Sequence, residues 1–410
     1  MRVPILLVLT ILMLTGHARG QEVQWLRDLR AREGQNLKEQ AVSSKDAFLT
    51  GRVLGKVLNT VIVRDASSYA IDIDIGSETP ATCEVIVGGF NLAQGLREAA
   101  DRTITEFALL YGTLEKRAID RIDAGVFGSS PYIAVDWLLV VNGKTLRVGA
   151  LKQLVVSTRG HGLYCAHLEI GYSKSFQAAV GSLAKTLRFK DARTAPFFTE
   201  VSTASLKGDK VGVQVVTMQR DAAGVTHVLT STSLALPQTS DTLLQTLPVR
   251  DSSSVQRIGP TGSLVNAAHV VSANGAIETQ LALTPGKNGR WLVNGQFEGA
   301  TLEKTLESAP VASTLIQQAR ARRALFTRKS VVGAQLTSAQ WTMKDPTRII
   351  ESQTTVLSVT GADRVVARET SEDLATEIVL DRTTGMPSKA VMAIGALSLE
   401  LERVYVQGTF

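Results

Sequence analysis

The chain has 410 residues, 44% of them apolar and 20% charged, with a formal net charge of +6. That composition is ordinary for a globular protein, and the length is ample for buried cores and suggests two domains. So mild a positive excess gives no argument for nucleic acid as a partner.

The first twenty residues, MRVPILLVLTILMLTGHARG, run from Arg2 through an apolar stretch at Val3–Leu14 to small residues at Gly16, Ala18 and Gly20. This is the order of a secretory signal peptide. The apolar stretch is shorter than the ~20 residues that a spanning helix needs. Cleavage is expected near Ala18 or Gly20, placing the mature chain in the periplasm or outside the cell. Loss of Arg2, with or without Arg19, leaves a charge of +4 or +5 from the original +6. No Cys follows the apolar stretch, which argues against a lipid anchor there. No later run of 18 or more apolar residues exists, so no transmembrane span is expected in the mature chain.

The next part, 21–195, reads as an α+β domain. Glu22–Arg32 suggests a short charged helix with Val23, Trp25, Leu26 and Leu29 apolar. Val57–Val63 is rich in β-branched residues, and Ala70–Ile75 alternates strictly, the period of a half-buried strand. Thr82–Val87 adds another strand. Asn91 is placed to cap a helix carrying Leu92, Leu96, Ala99, Thr103 and Phe107, and a second helix is expected over Leu114–Ile122. Asn142-Gly143 between two apolar runs predicts a type I′ hairpin. A strand at Leu163–Ile170 precedes a helix over Ser173–Leu187, in which Phe176, Val180, Leu183 and Leu187 form one stripe.

Residues 196–410 read as a mainly antiparallel β domain, with Arg188–Pro196 as the linker. Further Asn-Gly pairs stand at 274–275, 288–289 and 294–295, of which the first two separate clear strand pairs. One helix is expected near 311–326, and strands return from Thr354 to the end. The fold class is therefore α+β: an N-terminal antiparallel sheet with amphipathic helices, then a large curved antiparallel sheet with one packed helix.

Cys83 and Cys165 are the only cysteines. Export favours a disulfide between them, closing a loop of about 80 residues, worth on the order of 4–5 kcal/mol by chain entropy. Two buried thiols acting as small hydrophobes are the competing reading.

Chemical motifs are incomplete. Asn142-Gly-Lys-Thr145 lacks the leading glycine of a phosphate loop, because Leu138 stands there. Ser182-Leu-Ala-Lys185 matches the Ser-x-x-Lys of penicillin-recognising enzymes, and Ser272-Ala-Asn274 supplies a Ser-x-Asn. Yet Ser182 falls mid-helix, and Thr383-Thr384-Gly385 has no basic first residue. His161, Cys165 and His167 could give two metal ligands but no third, with His161 expected in a turn and a surface histidine beside a cystine as the plainer reading. Asp72 and Asp74 share a strand face and read as solvated. Arg320, Arg322, Arg323, Arg328 and Lys329 form the densest basic run of the mature chain, suited to anionic headgroups or an acidic partner, or simply to a helix C-terminus. Asp381–Pro387 resembles a turn of the large curved sheets in exported lipoprotein carriers, over seven residues only.

No cofactor is implied. The sequence points to an exported envelope protein that binds or scaffolds a lipid, peptide or protein partner without catalysis. A periplasmic serine-type hydrolase is the alternative.

Overall fold

The computed structural model describes residues 24–410 except 64–67, 89–90, 144, 192–194, 238–241, 307–313, 327–330, 344, 362, 372–373 and 395–396. Residues 1–20, with the expected leader and its cleavage site, lie outside the described residues, as do Arg328 and Lys329.

In chain order the first part comprises α1 (Gln24–Arg30), β1 (Glu39–Ser43), β2 (Leu49–Leu54), β3 (Lys56–Val63), β4 (Ser68–Asp74), β5 (Ala81–Ile86) and α2 (Leu92–Tyr111). There follow β6 (Thr113–Phe127), β7 (Ser130–Asn142), β8 (Leu146–Thr158), β9 (His161–His167), α3 (Ser173–Thr186) and β10 (Arg188–Phe189). The second part runs β11 (Phe198–Leu206), β12 (Asp209–Arg220), β13 (Thr226–Ala235), β14 (Val249–Ile258), β15 (Leu264–Ala273), β16 (Ala276–Pro285), β17 (Trp291–Phe297) and β18 (Ala300–Leu306). Helix α4 (Leu315–Phe326) is followed by β19 (Gln335–Trp341), β20 (Ile349–Thr360), β21 (Arg364–Ser371), β22 (Leu374–Asp381), β23 (Pro387–Ile394) and β24 (Leu397–Gly408).

These strands make three sheets. Seven strands pair in the order β3-β4-β5-β9-β8-β7-β6, fourteen in the order β18 down to β11 and then β24 down to β19, and β1-β2-β10 form a small third sheet. The molecule is thus mostly antiparallel β with a few packed helices.

Helix α3 lays its predicted stripe on one face of the seven-stranded sheet, where Phe176, Val180, Leu183 and Leu187 are buried with Ile71, Ile73, Leu154 and Cys165. Helix α2 covers the other face. Its Leu92, Leu96 and Ile104 bury against Trp137, Leu139 and Leu151, and the same cluster takes in Val201, Val213 and Val249 from beyond residue 196. Polar contacts reinforce that joint. Asn91 makes no side-chain cap bond to α2, and the Asp251 carboxylate of β14 accepts the Gln94 N–H instead, at 3.0 Å. Segment 243–245 also pairs along the edge of β6, where Arg117 N–H donates to Leu243 O and Gln245 N–H donates to Arg117 O, both at 2.8 Å. This covers an edge strand that would otherwise offer free backbone groups.

Two local expectations need correction. The stretch Leu114–Ile122 is strand, not helix. Its ladder with β7 slips at Leu114/Lys116 and at Ile119/Arg121, and each slip shifts the period-2 pattern so that apolar residues fall at helix-like intervals. The Asn142-Gly143 hairpin forms, with Asn142 opposite Leu146, yet neither residue takes a positive φ. A Cβ on Gly143 would lie 2.2 Å from Tyr111 O, so close approach rather than turn type requires glycine there. At Asn274-Gly275 both φ values are positive, 53° and 87°, and Ala273 pairs with Ala276, as a two-residue I′ loop requires.

Candidate functional site

Alternation along the fourteen-stranded sheet puts one set of side chains on a common face. Phe198, Val216, Met218, Val228 and Ile258 share that face with Ile316 and Ala319 of α4. From the opposite wing, Val356, Val365, Ala367, Ile378 and Leu380 meet Leu325 and Phe326 of the same helix. The outermost strands also converge, because Trp291, Val293 and Leu306 share an apolar cluster with Trp341 and Ile349. One helix touching both wings, and one cluster joining both ends, mean that the sheet is rolled with this face inside.

The Asp381–Pro387 turn clamps the helix. Asp381 accepts the N–H groups of Thr383 and Thr384 at 2.7 and 3.1 Å, and Met386 is buried against Ile316 and Ala319. Gly385 has φ 70°, and a Cβ on it would stand 2.1 Å from Ala319 O. Arg382 donates to Phe326 O at 3.1 Å, occupying a carbonyl at the C-terminal end of the helix.

Between its apolar ends the inner face carries a polar stripe. Cross-strand partners share a face, so the pairs Gln214–Thr232, Val216–Thr230, Thr230–Ser254, Thr232–Ser252 and Ser254–His269 set Gln214, Thr230, Thr232, Ser252, Ser254 and His269 beside Val216. All six polar residues are half-buried. Gln214 donates to Thr232 Oγ1 at 3.1 Å.

Charge is concentrated at two places on the same face. Glu200 is buried, and Arg403 approaches it at 3.4 Å while also contacting Asp381. Burial pushes the Glu200 carboxyl up to about 7, against the pull of Arg403. Asp381 is held below the ordinary value: burial opposes this, but hydrogen bonds from Thr383, Arg403 and two backbone N–H groups prevail. Further along, Arg322 reaches Glu369 at 3.3 Å, and Gln340 donates to the other Glu369 oxygen at 3.0 Å. The Arg322 Nε and Thr354 Oγ1 atoms beside that carboxylate are buried without a partner among the described residues.

The basic run is therefore divided. Arg322 points inward, whereas Arg320 and Arg323 are exposed, and Arg323 donates to Phe410 O at 3.2 Å.

Cys83 and Cys165 stand directly opposite each other on β5 and β9, with the two sulfurs at bonding distance, 2.08 Å. His161 begins β9 instead of lying in the preceding turn, and both His161 and His167 are buried, not at the surface. His161 Nδ1 accepts the Gly88 N–H at 3.1 Å and its Nε2 faces Asp191 at 3.1 Å. The reason is aromatic packing: Phe189 lies 4.0 Å from the His161 ring and Phe48 6.2 Å. No group of three His, Cys, Asp or Glu placed to hold a metal occurs among the described residues.

Ser182 sits within α3 with Lys185 exposed near its end. Asn274 is on the other sheet, where its side chain accepts the Val249 N–H at 3.0 Å, so the penicillin-type elements are not brought together. Asp72 accepts from Thr82 at 2.9 Å, and Asp74 accepts the Gly76 N–H at 2.8 Å; both are half-exposed.

The sequence reading missed Glu200, Arg403, Glu369 and a second charged group, Asp136–Lys152–His167, whose members come together only through strand register. Across β7, β8 and β9, Asp136 faces Lys152 and Lys152 faces His167. His167 Nε2 lies 3.1 Å from Ser77 Oγ, and its Nδ1 lies 3.3 Å from Lys152 Nζ. An ammonium can only donate, so Nδ1 is the acceptor and Nε2 carries the proton. Ser77 in turn donates to Thr79 O at 2.7 Å. That polarity is opposite to a serine nucleophile activated by histidine.

No family model matches the chain, and no curated protein does. Among solved structures, it is similar to a β-barrel-like protein of a domain of unknown function, DUF1849, from Brucella abortus. The identity is 11% and the TM-score 0.38, over 53% of this chain and 99% of that one. A DUF1089 family protein from Pseudomonas aeruginosa is similar at 13% identity and a TM-score of 0.21, over 48% of this chain and 89% of that one.

Proposed function

We propose that this is an exported, non-catalytic binding protein of the cell envelope, which holds an extended peptide segment against the inner face of the rolled sheet. The observation that carries this reading is the half-buried stripe of Gln214, Thr230, Thr232, Ser252, Ser254 and His269 between two apolar clusters. Amides and hydroxyls there pair with peptide N–H and C=O groups, whereas burying them under an acyl chain would leave them unsatisfied. The leader-like residues 1–20 supply the address, and a cystine at Cys83–Cys165 suits an oxidising compartment. In this reading the chain divides near 195/196 into a supporting part and a ligand-holding part. The basic run, with Arg320 and Arg323 exposed and Arg328 and Lys329 following in sequence, faces an acidic partner or anionic headgroups.

The test is native mass spectrometry of protein purified from the periplasm. A bound mass that fragments as peptide, and that is lost from a Thr230→Leu/Ser254→Leu double variant of unchanged fold, is the expected result. Extracted lipid as the bound mass would replace the peptide reading with a lipid one. Absence of any ligand, together with empty pull-downs, would defeat the binding role.

A further inference from the structure

A chamber of about 230 Å³ lies between α1 and the seven-stranded sheet. It sits on the face that α3 covers, beyond the first turn of that helix. Helix α1 forms its roof and is tied down by the Arg30–Asp120 ion pair at 3.3 Å. The chain just after α1 is fastened firmly. Glu33 accepts the N–H groups of Lys174 and Ser175 at 3.0 and 2.8 Å, capping α3, and Tyr172 N–H donates to Arg32 O at 2.6 Å.

The floor holds the Asp136–Lys152 pair, and Leu26, Ala150 and Ile170 supply apolar wall. Asp136 is engaged by Arg121 at 3.1 Å. Lys152 is only 3% exposed; it donates to the Glu169 carbonyl and lies 3.3 Å from His167 Nδ1. Burial, and then the Lys152 charge, hold His167 down to about 4, so the imidazole is neutral at pH 7. The ammonium has three protons and no hydrogen-bonded anion among the described residues. On the chamber walls Arg30 and Arg121 are matched by Asp120 and Asp136. Lys152 also feels the charges of Asp136, Glu169 and Glu33. Glu169 and Glu33, however, are occupied by the backbone N–H groups of residues 78–79 and 174–175, so the ammonium keeps one donor unused among the described residues. A buried ammonium with an unused donor is costly, and a carboxylate oxygen entering the chamber to accept that proton lowers the cost. Asp120 and Asp136 on the same walls disfavour a dianion. The space, equal to about eight water volumes, accepts a charged head with a short hydrocarbon body.

We propose that the chamber beneath α1 binds a small monocarboxylate, its charge received by Lys152 and its hydrocarbon body lying on Leu26, Ala150 and Ile170.

Isothermal titration of the full chain with hexanoate, acetate and inorganic phosphate at pH 7 tests this. Hexanoate is expected to bind saturably and more tightly than acetate, with phosphate weaker than either. Lys152→Met is expected to lose at least tenfold in hexanoate affinity. Ile170→Trp, which fills the body of the chamber and leaves the ammonium in place, is expected to lose hexanoate while keeping acetate. It also serves if Lys152→Met does not fold. No saturable hexanoate binding by the native chain, equal affinity in a folded Lys152→Met variant, or phosphate binding as tight as hexanoate would overturn the proposal.

Discussion

Asp251 accepts the backbone N–H of Gln94 across 157 residues of chain, at 3.0 Å, so the first turn of α2 is capped from the other sheet. The second carboxylate oxygen is held by Ser233. Burial raises the Asp251 carboxyl despite these bonds. Asp251→Ala removes the cap and leaves the Ser233 hydroxyl without its acceptor. The expected loss is about 1–2 kcal/mol, read as a lower urea midpoint. Asp251→Asn keeps an acceptor oxygen and should lose less.

Glu200 sets a pH dependence of stability. Its folded carboxyl is raised to about 7 from an ordinary 4.5, so the folded state binds more protons than the unfolded chain between those values. Stability therefore falls as pH rises from about 4.5 to about 7 on account of this group. Glu200→Gln should flatten that part of the melting-temperature profile while leaving the alkaline side unchanged. An unaltered slope would show that Glu200 ionises freely in the native state.

Gly385 is the tightest point of the α4 clamp. Alanine there meets two penalties, a left-handed backbone at φ 70° and a Cβ 2.1 Å from Ala319 O. The backbone term alone costs on the order of 1–3 kcal/mol. Gly385→Ala should lower the melting temperature and increase amide exchange in α4 more than in α3, because α4, unlike α3, packs on this turn.

The cystine is testable by thiol counting. Cys83 and Cys165 are both 0% exposed, so alkylation of the native protein should find no thiol. Denaturation without reductant should still find none, and denaturation with reductant should release both. Two alkylated residues in denatured, unreduced protein would favour the thiol reading. Replacing both residues by alanine should cost about 4–5 kcal/mol by the chain-entropy argument for a loop of this length.

The sequence made much of this architecture legible where local chemistry and tertiary packing agree. Helix α3 follows its stripe because Phe176, Val180, Leu183 and Leu187 all reach one core. The Asn274-Gly275 loop follows its turn chemistry, and the Asp381–Pro387 motif marks a real turn. Its purpose as a helix clamp was hidden, since Ala319 is distant in sequence. Strand β6 carries a helix-like pattern in the sequence because two register slips disguise its period. The Asp251 cap was invisible for a related reason, because Asn91 occupies the right position without making the bond. Neither Asp136 nor Lys152 belongs to any local motif; register alone makes them neighbours. Arg322 looked like its basic neighbours, yet its place in the helical turn sends it inward to Glu369.

Strands β18 and β19 end the fourteen-stranded sheet without pairing to each other, and the cluster of Trp291, Leu306, Trp341 and Ile349 bridges them. The roll is thus buttoned by greasy side chains where a closed barrel would be stitched by amide ladders. Among the described residues, widening that seam breaks no interstrand amide bond. Its girth is governed by apolar adhesion, which weakens on cooling, so the seam is expected to loosen in the cold.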